Sequence, residues 1–166
     1  MIMKAVKLFT IATTVALLTG CAMNGANDPA DPANPKQLVM DAKDRTQQFE
    51  LRVAKLVPEN DVSKVTQLQQ GSLQSCASGD MWAGGVTIHL KSGVEPDAVL
   101  GGLGASARTA GFEVESTKAF GGGQRVTITS KGGMSILVDA TERSLEGGSF
   151  SECFNLPEDF YKGGDF

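Results

Sequence analysis

The sequence predicts an α+β domain: an antiparallel-rich sheet of about four to six strands with two helices packed on one face, in the order α-β-β-α-β-β-β. Three observations carry this. Val86, Ile88 and Leu90 alternate with Thr87, His89 and Lys91, and Met134, Ile136, Val138 and Ala140 alternate in the same way. Each such strand has a single apolar side, which calls for cover on one face only. Between the alternating stretches, Val99, Leu103, Ala107 and Ala110 recur at helical spacing.

Taken in order, Gln37–Val57 lacks glycine and proline and places Leu38, Ala42, Phe49, Val53 and Leu56 on one helical face. Asp41 and Arg45 stand four residues apart and are expected to pair weakly, and Pro58 ends the helix. Ser63–Gln69 reads as a short strand through Val65 and Leu68, and Trp82–Lys91 as a longer one. Pro96 and Asp97 suit the first turn of a second helix, which Gly111 stops. Strands are then expected from Phe112 to Ala119, from Gln124 to Ser130 and through Met134–Ala140, joined at Gly121-Gly122-Gly123 and Lys131-Gly132-Gly133. After Gly147-Gly148, Ser149–Leu156 reads as a final edge segment. The domain is thus expected over residues 37–158, followed by a flexible tail at 159–166.

Composition narrows the function classes. The chain has 166 residues, 41% hydrophobic and 20% charged, which fits one globular domain rather than a disordered chain. A net charge of −4, without a Lys/Arg stripe, makes nucleic acid a poor partner. One histidine and three cysteines, with no Cys-x₂-Cys, leave too few ligands for zinc, so neither a metal nor a cofactor is expected.

Residues 1–20 read as a lipoprotein signal peptide. Lys4 and Lys7 precede an apolar run from Leu8 to Leu18, too short to span a bilayer. Leu17-Leu18-Thr19-Gly20-Cys21 follows directly and resembles the bacterial lipobox, which implies diacylglycerol thioether-linked to Cys21 and cleavage just before it. Two acyl chains such as palmitate hold a protein stably where one does not. Loss of Lys4 and Lys7 with the leader takes the net charge from −4 to −6, so the domain is repelled by anionic lipid heads and the lipid must do the holding. Residues 21–36 form the lipidated N-terminus and a tether, in which Asp28-Pro29, Asp31-Pro32 and Asn34-Pro35 favour extended chain.

Chemistry is scarce. With Cys21 lipidated, Cys76 and Cys153 remain as an even pair in an oxidising envelope, and a disulfide is expected. The alternative is a Cys76–His89 nucleophilic pair, which lacks a third orienting residue and leaves Cys153 unexplained. His89 otherwise reads as a solvated residue on the polar side of its strand. Gly101-Gly102-Leu103-Gly104 lies inside a helical stretch rather than between a strand and a helix, so it reads as close helix–sheet packing, not as a phosphate loop. Asp139, Glu142, Glu146 and Glu152 could supply paired acids for glycoside hydrolysis, but Trp82 and Tyr161 are the only sugar platforms besides phenylalanines. No catalytic residue is assigned.

The lipobox, the Pro/Asp spacer, a first internal cysteine and Ser151-Glu-Cys153-Phe154-Asn-Leu156-Pro157 together resemble the LppA-like family of actinobacterial lipoproteins, over residues 17 to about 158. The resemblance implies a Cys76–Cys153 pair and a cell-membrane protein, and carries no catalytic residue. Glycines 121–123 and 147–148 depart from its pattern. The function expected is a membrane-anchored, extracytoplasmic lipoprotein whose binding or adaptor domain meets an envelope protein or lipid. An envelope hydrolase using Cys76, His89 or the Asp139–Glu142 region is the second reading, and a carrier of an apolar envelope lipid the third.

Overall fold

The computed structural model describes residues 34–166; the residues read above as a signal peptide, Cys21 and most of the expected tether lie outside the described residues. The fold is α+β, with elements α1 (Pro35–Ala54), β1 (Val62–Gln67), β2 (Ser72–Cys76), β3 (Gly79–Leu90), α2 (Pro96–Thr109), β4 (Glu113–Lys118), β5 (Gln124–Thr129), β6 (Ser135–Ala140) and β7 (Ser144–Phe150). The seven strands form one sheet in the order β1-β3-β7-β6-β5-β4, with β2 also pairing β3. Every pairing is antiparallel.

Helix α1 starts two residues before the expected Gln37. Asn34 caps it, its side chain accepting from the Gln37 amide at 3.0 Å, and Pro35 takes the first turn, where no amide proton is needed. The last residues expected in the tether, Asn34 to Lys36, are therefore part of the domain. Its buried face is Val39, Ala42, Thr46, Phe49, Glu50, Val53 and Ala54, so Val39 takes the place expected for Leu38. Arg45 does not pair with Asp41. It reaches Glu152 at 2.6 Å, while Asp41 accepts from Gln37 at 2.8 Å.

Two strands depart from the sequence expectation. β2 has one apolar residue, Leu73, and so no alternation to read. β7 was expected as an edge segment at 149–156, but it spans 144–150 and lies in the middle of the sheet, between β3 and β6. Gly147-Gly148 is strand rather than turn, with Gly147 opposite Val86 and Gly148 opposite Gly85.

Both helices pack on one face. Phe49 and Val53 of α1, with Leu100, Leu103 and Ala107 of α2, meet Val86, Ile88, Val126, Ile128, Ile136, Val138 and Leu145 of the sheet in one buried cluster. Close packing does not account for the Gly101-Gly102-Leu103-Gly104 string: Gly104 faces the sheet, but a Cβ there would meet Val126 at 3.5 Å, an ordinary contact, and Gly101 and Gly102 are exposed with nothing within 4 Å.

A second, smaller cluster surrounds Trp82, which is fully buried with Val39 and Ala42. Leu73, Phe154, Leu156, Phe160 and Phe166 close it. The residues expected as a flexible tail thus return to the domain: Gly71 and Phe166 exchange backbone hydrogen bonds of 2.7 and 3.1 Å, and Lys162 pairs with Asp80 at 2.8 Å. Apolar phenylalanines at 160 and 166 supply the driving force that an acidic, glycine-bearing tail conceals.

Inside the core, Glu50 is fully buried. Gln67 donates to one carboxyl oxygen at 2.7 Å and the Ser149 hydroxyl donates to the other, so α1 is tied to both β1 and β7. Burial pushes its pKa above the usual 4.5, and the two hydrogen bonds partly oppose the shift. A raised folded-state pKa means that the group supports folding fully below about 4.5 and loses that support as pH rises through the folded-state value. Glu50→Gln is therefore expected to gain stability relative to the parent as pH rises from about 4.5. Urea melts at a series of pH values check this, and a parallel pair of stability curves would contradict it.

Candidate functional site: a trough on the uncovered sheet face

With Val86 and Ile88 turned to the helices, alternation sends Gly85, Thr87 and His89 to the other face, which neither α1 nor α2 covers. The same parity brings Glu146, Gly148 and Phe150 of β7 outward, with Leu137 and Asp139 of β6 and Arg125 of β5 beside them. These residues line an open trough of about 470 Å³. Its floor is the Gly85–Gly148 pair at the sheet centre, and its apolar walls are Leu68, Leu137 and Phe150. Leu68 is 58% exposed, an unusual state for a leucine beside other apolar side chains.

One end of the trough is charged. Asp139 stands opposite both Arg125 and Glu146 in the sheet register. Arg125 binds Asp139 through two nitrogens, at 2.8 and 2.5 Å, a fork-to-fork pair with both side chains about one-third exposed. The hydrogen bond to Asp139 raises the Arg125 pKa further. Among the described residues, Glu146 makes no ion pair and faces the trough as a free carboxylate.

The two central glycines of β7 differ in what they do. A Cβ on Gly147 would lie 2.7 Å from Ile136 Cδ1 and 3.2 Å from Val86 Cγ1, so this glycine is required by core packing. A Cβ on Gly148 would meet nothing within 4 Å, and its φ is not in the left-handed region. Gly147→Ala should cost about 1–3 kcal/mol by overpacking. Gly148→Ala should instead stabilise by about 0.4–1 kcal/mol, because alanine restricts the unfolded chain and fits the strand. Thermal melts of the two variants test this, and equal losses would show that both glycines serve the core.

Of the residues expected to carry chemistry, Cys76 and Cys153 form a disulfide, with Cα atoms 6.2 Å apart. Cys76 is thereby removed from His89, whose Nε2 instead meets Thr66 Oγ1 at 3.2 Å. Asp139 and Glu146 come together across β6 and β7. Glu152 is drawn away to Arg45, and Glu142 lies in the exposed turn before β7. Sequence reasoning missed Leu68, Leu137, Phe150, Arg125 and Gly148 as one site, because they converge only through the β3–β7 and β6–β7 pairings. Among the described residues, no cluster of three or more His, Cys, Asp or Glu side chains is placed to hold a metal, and no helix is long and apolar enough to cross a membrane.

No protein-family model matches the chain, and no curated protein matches it. Among solved structures, it is similar to the crystal structure of a DUF4853 family protein from Actinomyces odontolyticus, at 11% identity and a TM-score of 0.44, over 82% of this chain and 74% of that one.

Proposed function

We propose that the chain is a lipoprotein of the cell envelope, anchored through Cys21 on the outer face of the cytoplasmic membrane, whose domain binds an envelope partner through the uncovered sheet face. The lipobox-like Leu17–Cys21 segment and the likeness to LppA-like lipoproteins support the anchor. The trough carries the binding reading: a central, exposed apolar surface on the sheet face opposite both helices. The hydrolase reading loses its thiol to the disulfide. A lipid carrier needs enclosed space between helices and sheet; at the centre Phe49, Leu100, Leu103, Ile128 and Ile136 are fully or almost fully buried against one another, and the space that exists is an open pocket at the α1–β1 edge, beside Leu51, Val57 and Val62.

The test has two parts. The intact mass of membrane-extracted protein should show a mature N-terminus at acylated Cys21; an unmodified cysteine, or a start elsewhere, would remove the anchor. A photo-crosslinking residue at Leu137, in the trough, should capture an envelope component that the same residue at Gly101, on the exposed side of α2, does not. Equal capture from both positions would overturn the assignment of the binding face.

A further inference from the structure

The occupant of the trough can be narrowed by its shape and charge, an inference that rests on the binding reading above. Gly148 is the starting point. Glycine in a central strand costs about 0.5–1 kcal/mol relative to alanine, and here neither backbone angle nor packing requires it. A strand glycine often marks a bulge, a bend or a place where another molecule approaches the backbone, and the unbroken register on both sides of Gly148 leaves the last of these. The space it leaves is open to solvent on one side and shallow, so it cannot enclose a small ligand as a pocket does. It suits a side chain protruding from a larger partner.

The charged end then selects the partner. Arg125 is satisfied by Asp139, which leaves Glu146 as the free charge in the trough. The same sheet face carries Glu113 and Glu115 on β4, both exposed, against Lys64 on β1 and Lys91 just after β3, with Arg125 and Asp139 cancelling each other. Its balance is acidic and favours a cation. Glu146 and Gly148 are two residues apart on one strand, a separation of about 7 Å. Residues i and i+2 of an extended chain project from one side at that same spacing.

We propose that the trough receives an extended segment of a partner protein with an apolar side chain over Gly148, between Leu68 and Leu137, and a lysine or arginine two residues away paired with Glu146. The apolar residue supplies the burial and the cation sets direction and register, as in other sites where alternate side chains of an extended peptide are read.

The full chain, ¹⁵N-labelled and purified in detergent, would be titrated with three blocked peptides: Thr-Leu-Thr-Lys-Thr, Thr-Leu-Thr-Glu-Thr and Thr-Leu-Lys-Thr-Thr. The first should shift the Gly85 and Gly148 amides, with about fivefold weaker binding for the other two and for the first peptide on Glu146→Gln. Gly148→Val should abolish the shift of Gly85 while the melting temperature holds or rises. Equal binding of all three peptides would overturn the charge and spacing while leaving the trough as a binding site. Octylammonium binding as tightly as the first peptide would point to a cationic amphiphile and overturn the peptide. Unchanged binding by Gly148→Val, or no response at Gly148 to any probe, would overturn the trough itself and the binding-face reading with it.

Discussion

Replacing Trp82 by alanine is expected to cost about 3–5 kcal/mol, the range for removing a fully buried large aromatic. The loss should not stay local to the side chain. Trp82 is the buried centre on which Phe154, Leu156, Phe160 and Phe166 close, and its indole N–H reaches the Phe166 carbonyl at 3.4 Å. Its backbone is held as well, with the Ser151 amide donating to the Trp82 carbonyl and the Trp82 amide donating to the Ser151 hydroxyl, each at 2.9 Å. Without the indole, the segment after β7 keeps the short Asp80–Phe154 bridge and the disulfide but loses its apolar seat. Denaturant melts should show the lower stability, and hydrogen exchange should show the Gly71 and Phe154 amides opening before those of Val86–Leu90. A loss below about 1 kcal/mol would mean that the second cluster contributes little.

Changing both Cys76 and Cys153 to serine should lower stability by about 2–5 kcal/mol, because a crosslink spanning 77 residues no longer restricts the unfolded chain. The bond joins the end of β2 to the segment that follows β7, so its native-state role is to hold that segment against the Trp82 end of the sheet. Protection from exchange should therefore fall first across 151–166 and only later in the β3 core. An equal fall in both places would show that the bond supports the whole core rather than pinning its closing segment. Iodoacetamide offers a direct check: Cys76 in the native, unreduced parent should not react.

These two variants bear on the part of the molecule that was hardest to read from residues alone. The long strand β3 and its turn toward α2 were legible, because Val86, Ile88 and Leu90 alternate cleanly and Pro96 with Asp97 marks a helix start. β5 and β6 were legible for the same reason. β7 was not. Leu145 is its only aliphatic residue, and Gly147-Gly148 carries the composition of a turn. Two neighbours already in place make it a strand. β3 and β6 each offer an unpaired edge, and a chain lying between them satisfies both sets of backbone groups whatever its side chains. The glycines then follow from tertiary geometry. Gly147 sits where Ile136 and Val86 leave no room for a Cβ, and Gly148 faces the open trough. Glu50 was equally hidden: a glutamate in a helix reads as solvated until Gln67 and Ser149, brought from distant strands, are seen to satisfy it.

The sequence by itself determined the class of the fold and the number and face of its helices, since each of these depends on periodicity that neighbouring residues carry. It also determined that Cys76 and Cys153 were the pair available to each other once Cys21 was set aside. Tertiary structure alone decided the order of strands, the central place of β7, the seat of residues 159–166 on Trp82, and the meeting of Leu68, Leu137, Phe150, Arg125 and Glu146 around Gly148. Pairing between strands far apart in sequence is set by which backbone edges remain unsatisfied and which apolar faces remain uncovered. Neither quantity exists until the rest of the sheet has formed, so no local pattern in these residues could encode it.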